Sequence, residues 1–168
     1  MSDNVYLGNP NLKKANTPIE FTEEQIIEFV QCQRDPVYFA NKYVKIVSLD
    51  EGLVPFKPYR FQEKLITNFH ENRFNICKMP RQTGKSTTVV SYLLHYAVFN
   101  DSVNIGILAN KAATARELLG RLQTAYENLP KWMQQGIIAW NKGSLELENG
   151  SKILAASTSA SAVRGMSF

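Results

Sequence analysis

Cysteine is scarce in this chain of 168 residues: Cys32 and Cys77 are the only two, far apart and outside any metal or redox spacing. That excludes a disulfide framework and a cysteine-based metal centre. It fits a reducing compartment, with Cys77 expected as a small strand hydrophobe. Long apolar runs are missing as well. No stretch approaches the roughly eighteen residues that a membrane helix needs, and the amino terminus lacks the apolar core of a signal peptide. A cytosolic protein is therefore expected, with no membrane partner. His70 and His95 have no ligand partners at a recognised spacing, which argues against a structural metal. Charge is nearly balanced: 19 basic and 15 acidic residues leave a net +4, which permits a polyanionic partner without demanding one. Neither a repeat nor a low-complexity segment is present.

What remains is an ordinary globular composition, 44% apolar and 20% charged, in a chain long enough for one core and too short for two large domains. Residues 1–20 are polar, with Gly8, Pro10 and Pro18, and read as an arm or loop. Thr22 with Gln25 forms a capping box for a helix whose apolar stripe is Ile26, Ile27, Phe29 and Val30. Asp35-Pro36 opens a second short helix that would bury Tyr38, Phe39 and Tyr43. Pro55 and Pro58 mark a loop, and residues 59–72 are again periodic through Phe61, Leu65, Ile66 and Phe69. Residues 103–109 read as a buried parallel strand, and 112–128 as a helix carrying Leu118, Leu119 and Leu122. Short strands follow at 137–140, 144–147 and 152–156, the last two joined at Asn149-Gly150. Strands alternating with helices predict a three-layer α/β fold with a mostly parallel sheet.

The densest chemistry lies at Arg81-Gln82-Thr83-Gly84-Lys85-Ser86-Thr87. An apolar run with Phe74, Ile76 and Met79 precedes it and reads as a strand. A long apolar-periodic segment follows (Val89, Val90, Leu93, Leu94, Ala97, Val98). Strand, loop and helix in that order make a site for the triphosphate of ATP or GTP: helix-start amides face the phosphates, Lys85 supplies a point charge, and Ser86 offers a hydroxyl to Mg²⁺. Thr83, Gly84 and Thr87 would add backbone or hydroxyl contacts. The full pattern has glycine where this chain has Met79, and Pro80 has no N–H to give. Arg81 compensates with a planar, permanently charged fork. The competing reading is a surface turn holding Lys78, Arg81 and Lys85.

The chain resembles the large terminase subunit, the ATP-driven DNA-packaging motor of tailed bacteriophages, in its contractile-tailed (myovirus) branch. Residues 34–44 resemble the family's leading helix. Phe61-Gln62-Glu63-Lys64-Leu65 resembles its adenine-binding segment, and residues 80–87 its deviant phosphate loop with an internal arginine. Gly106-Ile107-Leu108-Ala109-Asn110-Lys111 resembles its second strand and turn. Trp140-Asn141-Lys142-Gly143-Ser144-Leu145-Glu146-Leu147 and Ala162-Val163-Arg164-Gly165 are similar to the approach to its second acidic motif.

The resemblance implies a RecA-like P-loop core with an N-terminal helical extension: an arm at 1–20, a helical segment at 21–72 and a nucleotide-binding core at 73–168. The chain would be truncated before the Walker B strand with its Asp-Glu pair, and the nuclease domain would be absent, so little turnover is expected of it alone. The implied cofactors are ATP and Mg²⁺. The implied partners are double-stranded DNA, the viral portal protein and the small terminase subunit, with a ring oligomer formed in the assembled motor in the host cytoplasm. Lys85 would meet the β- and γ-phosphates, and Arg81 would act as an internal finger or remain a surface arginine. Gln62 matches the N6/N7 edge of adenine, with Phe61 or Tyr59 packed on the base; a helix-surface glutamine is the alternative. Arg164 is a weaker candidate for sensing the γ-phosphate. A superfamily 2 helicase-like or restriction-type translocase would share the same core, and a non-enzymatic assembly module is the third possibility.

Overall fold

The computed structural model describes residues 4–48 and 50–158. It begins with two hairpin strands, β1 (Val5–Tyr6) and β2 (Asn9–Lys13), then helices α1 (Glu23–Arg34) and α2 (Pro36–Tyr43). A second hairpin, β3 (Lys45–Ser48) and β4 (Gly52–Pro55), leads to α3 (Arg60–Glu71) and α4 (Lys85–Phe99). The remainder alternates: β5 (Asn104–Ala109), α5 (Ala112–Glu127), β6 (Ile137–Trp140), β7 (Ser144–Leu147) and β8 (Lys152–Ser157).

Local chemistry sets the helix ends. Thr22 accepts from the Gln25 N–H while the Gln25 side chain accepts from the Thr22 N–H, the reciprocal box expected from the sequence. Asp35 ends α1 and starts α2: its Oδ1 accepts from Val37 N–H (2.9 Å) and Tyr38 N–H (3.0 Å), and Pro36 fills the first helical position. Glu28 on α1 then clamps α2, accepting from Lys42 Nζ (2.8 Å), Tyr38 OH (2.6 Å) and Tyr43 OH (2.5 Å). The Lys42 bond first, then the two phenols, hold the Glu28 carboxyl down to about 2.

The sheet runs β5-β8-β7-β6 and is mixed, not mostly parallel: β5 pairs parallel with β8, while β8–β7 and β7–β6 are antiparallel. Short turns are the reason. Gly150 (φ +83°) and Asn149, whose Oδ1 accepts from Ser151 N–H, return the chain at once, and three residues join β6 to β7. Helix α5 packs on β5 and β8 and against α4, burying Leu119, Leu122 and Tyr126 with Ile105, Ile107, Ile153, Val90 and Leu94.

Three further expectations differ from the fold. The apolar run at 74–79 forms no strand: Phe74 is 83% and Ile76 fully exposed, and β5 pairs with β8. An apolar run becomes a strand only by pairing with another, and no described strand pairs with this one. Strand β5 is buried on one face only, Ile105 and Ile107 inward, Leu108 outward. Helix α1 turns Ile26, Ile27 and Val30 to solvent; Cys32 is its buried residue and Phe29 its link to Phe99 (ring centroids 5.0 Å).

The polar start of the chain is structured. Buried Gln134 accepts from Lys13 N–H (3.0 Å) and donates to the carbonyls of Asn11, Tyr126 and Leu129, while Asn16 N–H donates to Glu148 (2.7 Å). Among the described residues no helix is long and apolar enough to cross a membrane.

Helix α4 carries a buried histidine. His95 is 1% exposed, donates from Nε2 to Cys32 O (2.8 Å) and packs edge-on against Phe39. Burial draws its pKa down to about 4, against 6.5 when unfolded. The unfolded chain therefore binds a proton that the fold refuses. The stability is fully present above pH 6.5 and is lost as pH falls toward 4, by about 3 kcal/mol in all. Thermal melts from pH 7.5 to 4.5 should show this decline. His95→Gln, which keeps a donor for Cys32 O, should flatten it; an equally steep decline in that variant would assign it elsewhere.

Candidate phosphate-binding site

Between α3 and α4 the chain must turn sharply. Pro80 stiffens the start, Thr83 Oγ1 donates to Pro80 O (3.0 Å), and Gln82 and Gly84 both take the left-handed conformation (φ +61° and +72°). Gly84 is the N-cap of α4 and has no side chain to satisfy that helix's first amides. The first helical bond is Thr88 N–H to Gly84 O (3.0 Å), reinforced by Thr88 Oγ1 to the same carbonyl (2.9 Å). The N–H groups of Lys85, Ser86 and Thr87 lie ahead of it, at the positive end of the helix dipole. That is the arrangement by which helix starts hold anions.

The side chains add charge. Arg81 and Lys85 are exposed, and neither joins an ion pair among the described residues, whose pairs are Lys42–Glu28, Arg121–Glu117 and Lys152–Glu146. Ser86 and Thr87 are half-buried beside them. A cavity of about 180 Å³ lies behind Lys85 and Ser86, walled by Val89, Leu93, Ile107 and Leu118. A cleft of about 710 Å³ reaches Thr87, with Val44, Ile46 and Val47 of the β3 hairpin on one side and Glu117 and Arg121 of α5 on the other. Sequence reading missed this wall. The β-branched cluster Val44, Ile46 and Val47 was its signal.

The remaining candidates sit close to the loop or away from it. Gln62 is buried (3% exposed) at the start of α3; its Oε1 accepts from Tyr59 N–H (2.8 Å) and its Nε2 donates to Thr83 O (3.4 Å). One N–H and one lone pair of the carboxamide remain. Tyr59 and Phe61 flank it as a stacked, exposed pair, centroids 5.9 Å apart and 9° from parallel. Arg164 lies outside the described residues. Trp132 and Trp140 pack against Tyr43 and Tyr126. His70 and His95 come within 6.1 Å, yet no group of three metal-ligating side chains occurs among the described residues.

Gly84 is doubly constrained, because a Cβ there would sit 2.5 Å from Gln62 Nε2 on top of its left-handed φ. Gly84→Ala should lower stability in urea unfolding by about 1–2 kcal/mol from the backbone alone. The collision adds to that, and should disappear in a Gln62→Ala background. Strictly additive losses in the double mutant would mean the two residues do not press on each other.

Residues 76–168, more than half of the chain, match the family model described as "Terminase large subunit, T4likevirus-type, N-terminal". Among solved structures, the chain is similar to the HK97 bacteriophage large terminase, with a TM-score of 0.64 at 18% identity. That likeness covers 80% of this chain and 29% of that one, and it speaks for the fold alone.

Proposed function

This chain belongs to the T4-like family of terminase large subunits, in its N-terminal region, and we propose that residues 80–87 bind the triphosphate of ATP for a DNA-packaging motor. The reading assigns residues 21–168 to a RecA-like ATPase domain, with 21–72 as its helical segment, 73–168 as its nucleotide-binding core and 1–20 as a preceding arm. One observation carries it: the left-handed Gly84 opens α4 so that three backbone amides stand uncommitted in the same loop as Arg81 and Lys85, neither of which is ion-paired among the described residues.

Each residue has a part in phosphoryl transfer, which asks a protein for position and for charge on the equatorial oxygens. Lys85 neutralises the β- and γ-phosphates, and Arg81 reaches the γ-phosphate from within the loop. Thr83, Gly84 and Thr87 add hydroxyl and amide contacts. The half-buried Ser86 hydroxyl, one residue past Lys85, suits a hard, oxygen-seeking cation; Mg²⁺ held there would neutralise phosphate charge. Gln62 reads the adenine edge with its remaining N–H and lone pair, and Tyr59 or Phe61 packs on the base. In the whole motor, ATP hydrolysis would drive double-stranded DNA into the capsid. The large subunits would act as a ring with the portal and the small terminase subunit, in the host cytoplasm.

Calorimetric titration with ATP·Mg²⁺ and GTP·Mg²⁺ tests the reading. The wild type should bind ATP more tightly than GTP, by about five-fold for the one hydrogen-bonded edge that differs. Lys85→Ala should weaken both nucleotides at least ten-fold, the cost of a charge-assisted contact. Identical heats for wild type and Lys85→Ala would remove the loop as the phosphate site.

A further inference from the structure

The proposed triphosphate loop has few anchors. Residues 72–80, which lead into it, form no strand, and Phe74 and Ile76 stand in solvent. Within the loop, Thr83 Oγ1 holds Pro80 O, but that bond moves with the loop. The described hydrogen bond that reaches residues 80–83 from outside the loop and α4 is Gln62 Nε2 to Thr83 O, at 3.4 Å.

Gln62 has no slack. Its Oε1 is fixed by Tyr59 N–H at the start of α3, and the side chain is 97% buried by its neighbours, against 48% exposure for Phe61 next to it. One turn on, Ile66 is fully buried and seats α3 in the core against α2 and α4. At the other end, a Cβ on Gly84 would sit 2.5 Å from Nε2, so the carboxamide would have to move to admit a side chain there. The carboxamide thus stands as a strut between a fixed helix and the residue whose left-handed turn aims the amides of α4.

Resting on the reading of residues 80–87 as a phosphate site, we infer that Gln62 is a positioning residue for that loop: it holds Thr83 and Gly84 in the phosphate-ready turn before any ligand arrives, whatever base the ligand carries. Preorganised amides bind an anion without the ordering cost that a slack loop must meet. The role is separate from adenine reading, because it acts on ligands that have no base at all.

Inorganic tripolyphosphate is therefore the probe, titrated calorimetrically into wild type, Lys85→Ala and Gln62→Met. Wild-type binding that Lys85→Ala abolishes upholds the phosphate site itself; no wild-type binding would overturn that site and this inference together. Gln62→Met, of similar shape but without the donor to Thr83 O or the acceptor for Tyr59 N–H, should lose roughly five- to ten-fold in tripolyphosphate affinity, the worth of the lost buried hydrogen bond to the loop. In the ligand-free protein, ¹⁵N relaxation at Thr83 to Ser86 should show lower order parameters than in the wild type while the centre of α4 stays rigid. Undiminished tripolyphosphate affinity, or wild-type order parameters at the loop, overturns the strut even if ATP affinity falls. Should Gln62→Met fail to fold, Gln62→Asn keeps an uncharged carboxamide but is one methylene too short to join Tyr59 N–H to Thr83 O. Its ligand-free loop order parameters then decide in the same way.

Discussion

A single backbone conformation governs the site. Gly84 must turn left-handed for the chain to pass from the unpaired stretch after α3 into a helix whose first amides are left open. Glycine takes that conformation without steric cost, and its missing side chain lets Gln62 approach the loop. Charge, hydroxyls and dipole at Arg81, Lys85 and Ser86 matter only because this turn brings them to the same place.

The rest of the molecule holds the helix that follows this turn. Helix α4 is apolar around most of its surface and sits between α5 and the helices α2 and α3, so its axis cannot swing without opening the core. The α1–α2 pair is tied by the Glu28 cluster, and the N-terminal hairpin is tied by Gln134 and Glu148 to the far end of α5 and to β6–β7. The terminal hairpin packs against the same body as the helices, which its polar sequence does not suggest.

The local signals were legible in the sequence. Thr22, Asp35-Pro36 and Asn149-Gly150 act within a few residues of themselves, so their caps and turn could be read directly. The Gly84-Lys85-Ser86 pattern located the loop for the same reason. Features that depend on distant partners could not be read. Strand direction in the mixed sheet follows from which edges meet, the run at 74–79 pairs with no described strand, and Ile26, Ile27 and Val30 form a stripe that no described element covers. The tie between Gln62 and Thr83 spans 21 residues and was equally invisible. The family match and the HK97 likeness settle the lineage and fold without assigning a role to any of these residues.

The most direct measurement is of the loop amides themselves. In ¹⁵N-resolved NMR, titration with ATP·Mg²⁺ should shift the Gly84, Lys85, Ser86 and Thr87 amides saturably, with one shared affinity, while the outer face of α1 at Ile26 and Ile27 stays unmoved. Saturable shifts that cluster elsewhere, with those four amides unchanged, would contradict a triphosphate seat at the start of α4.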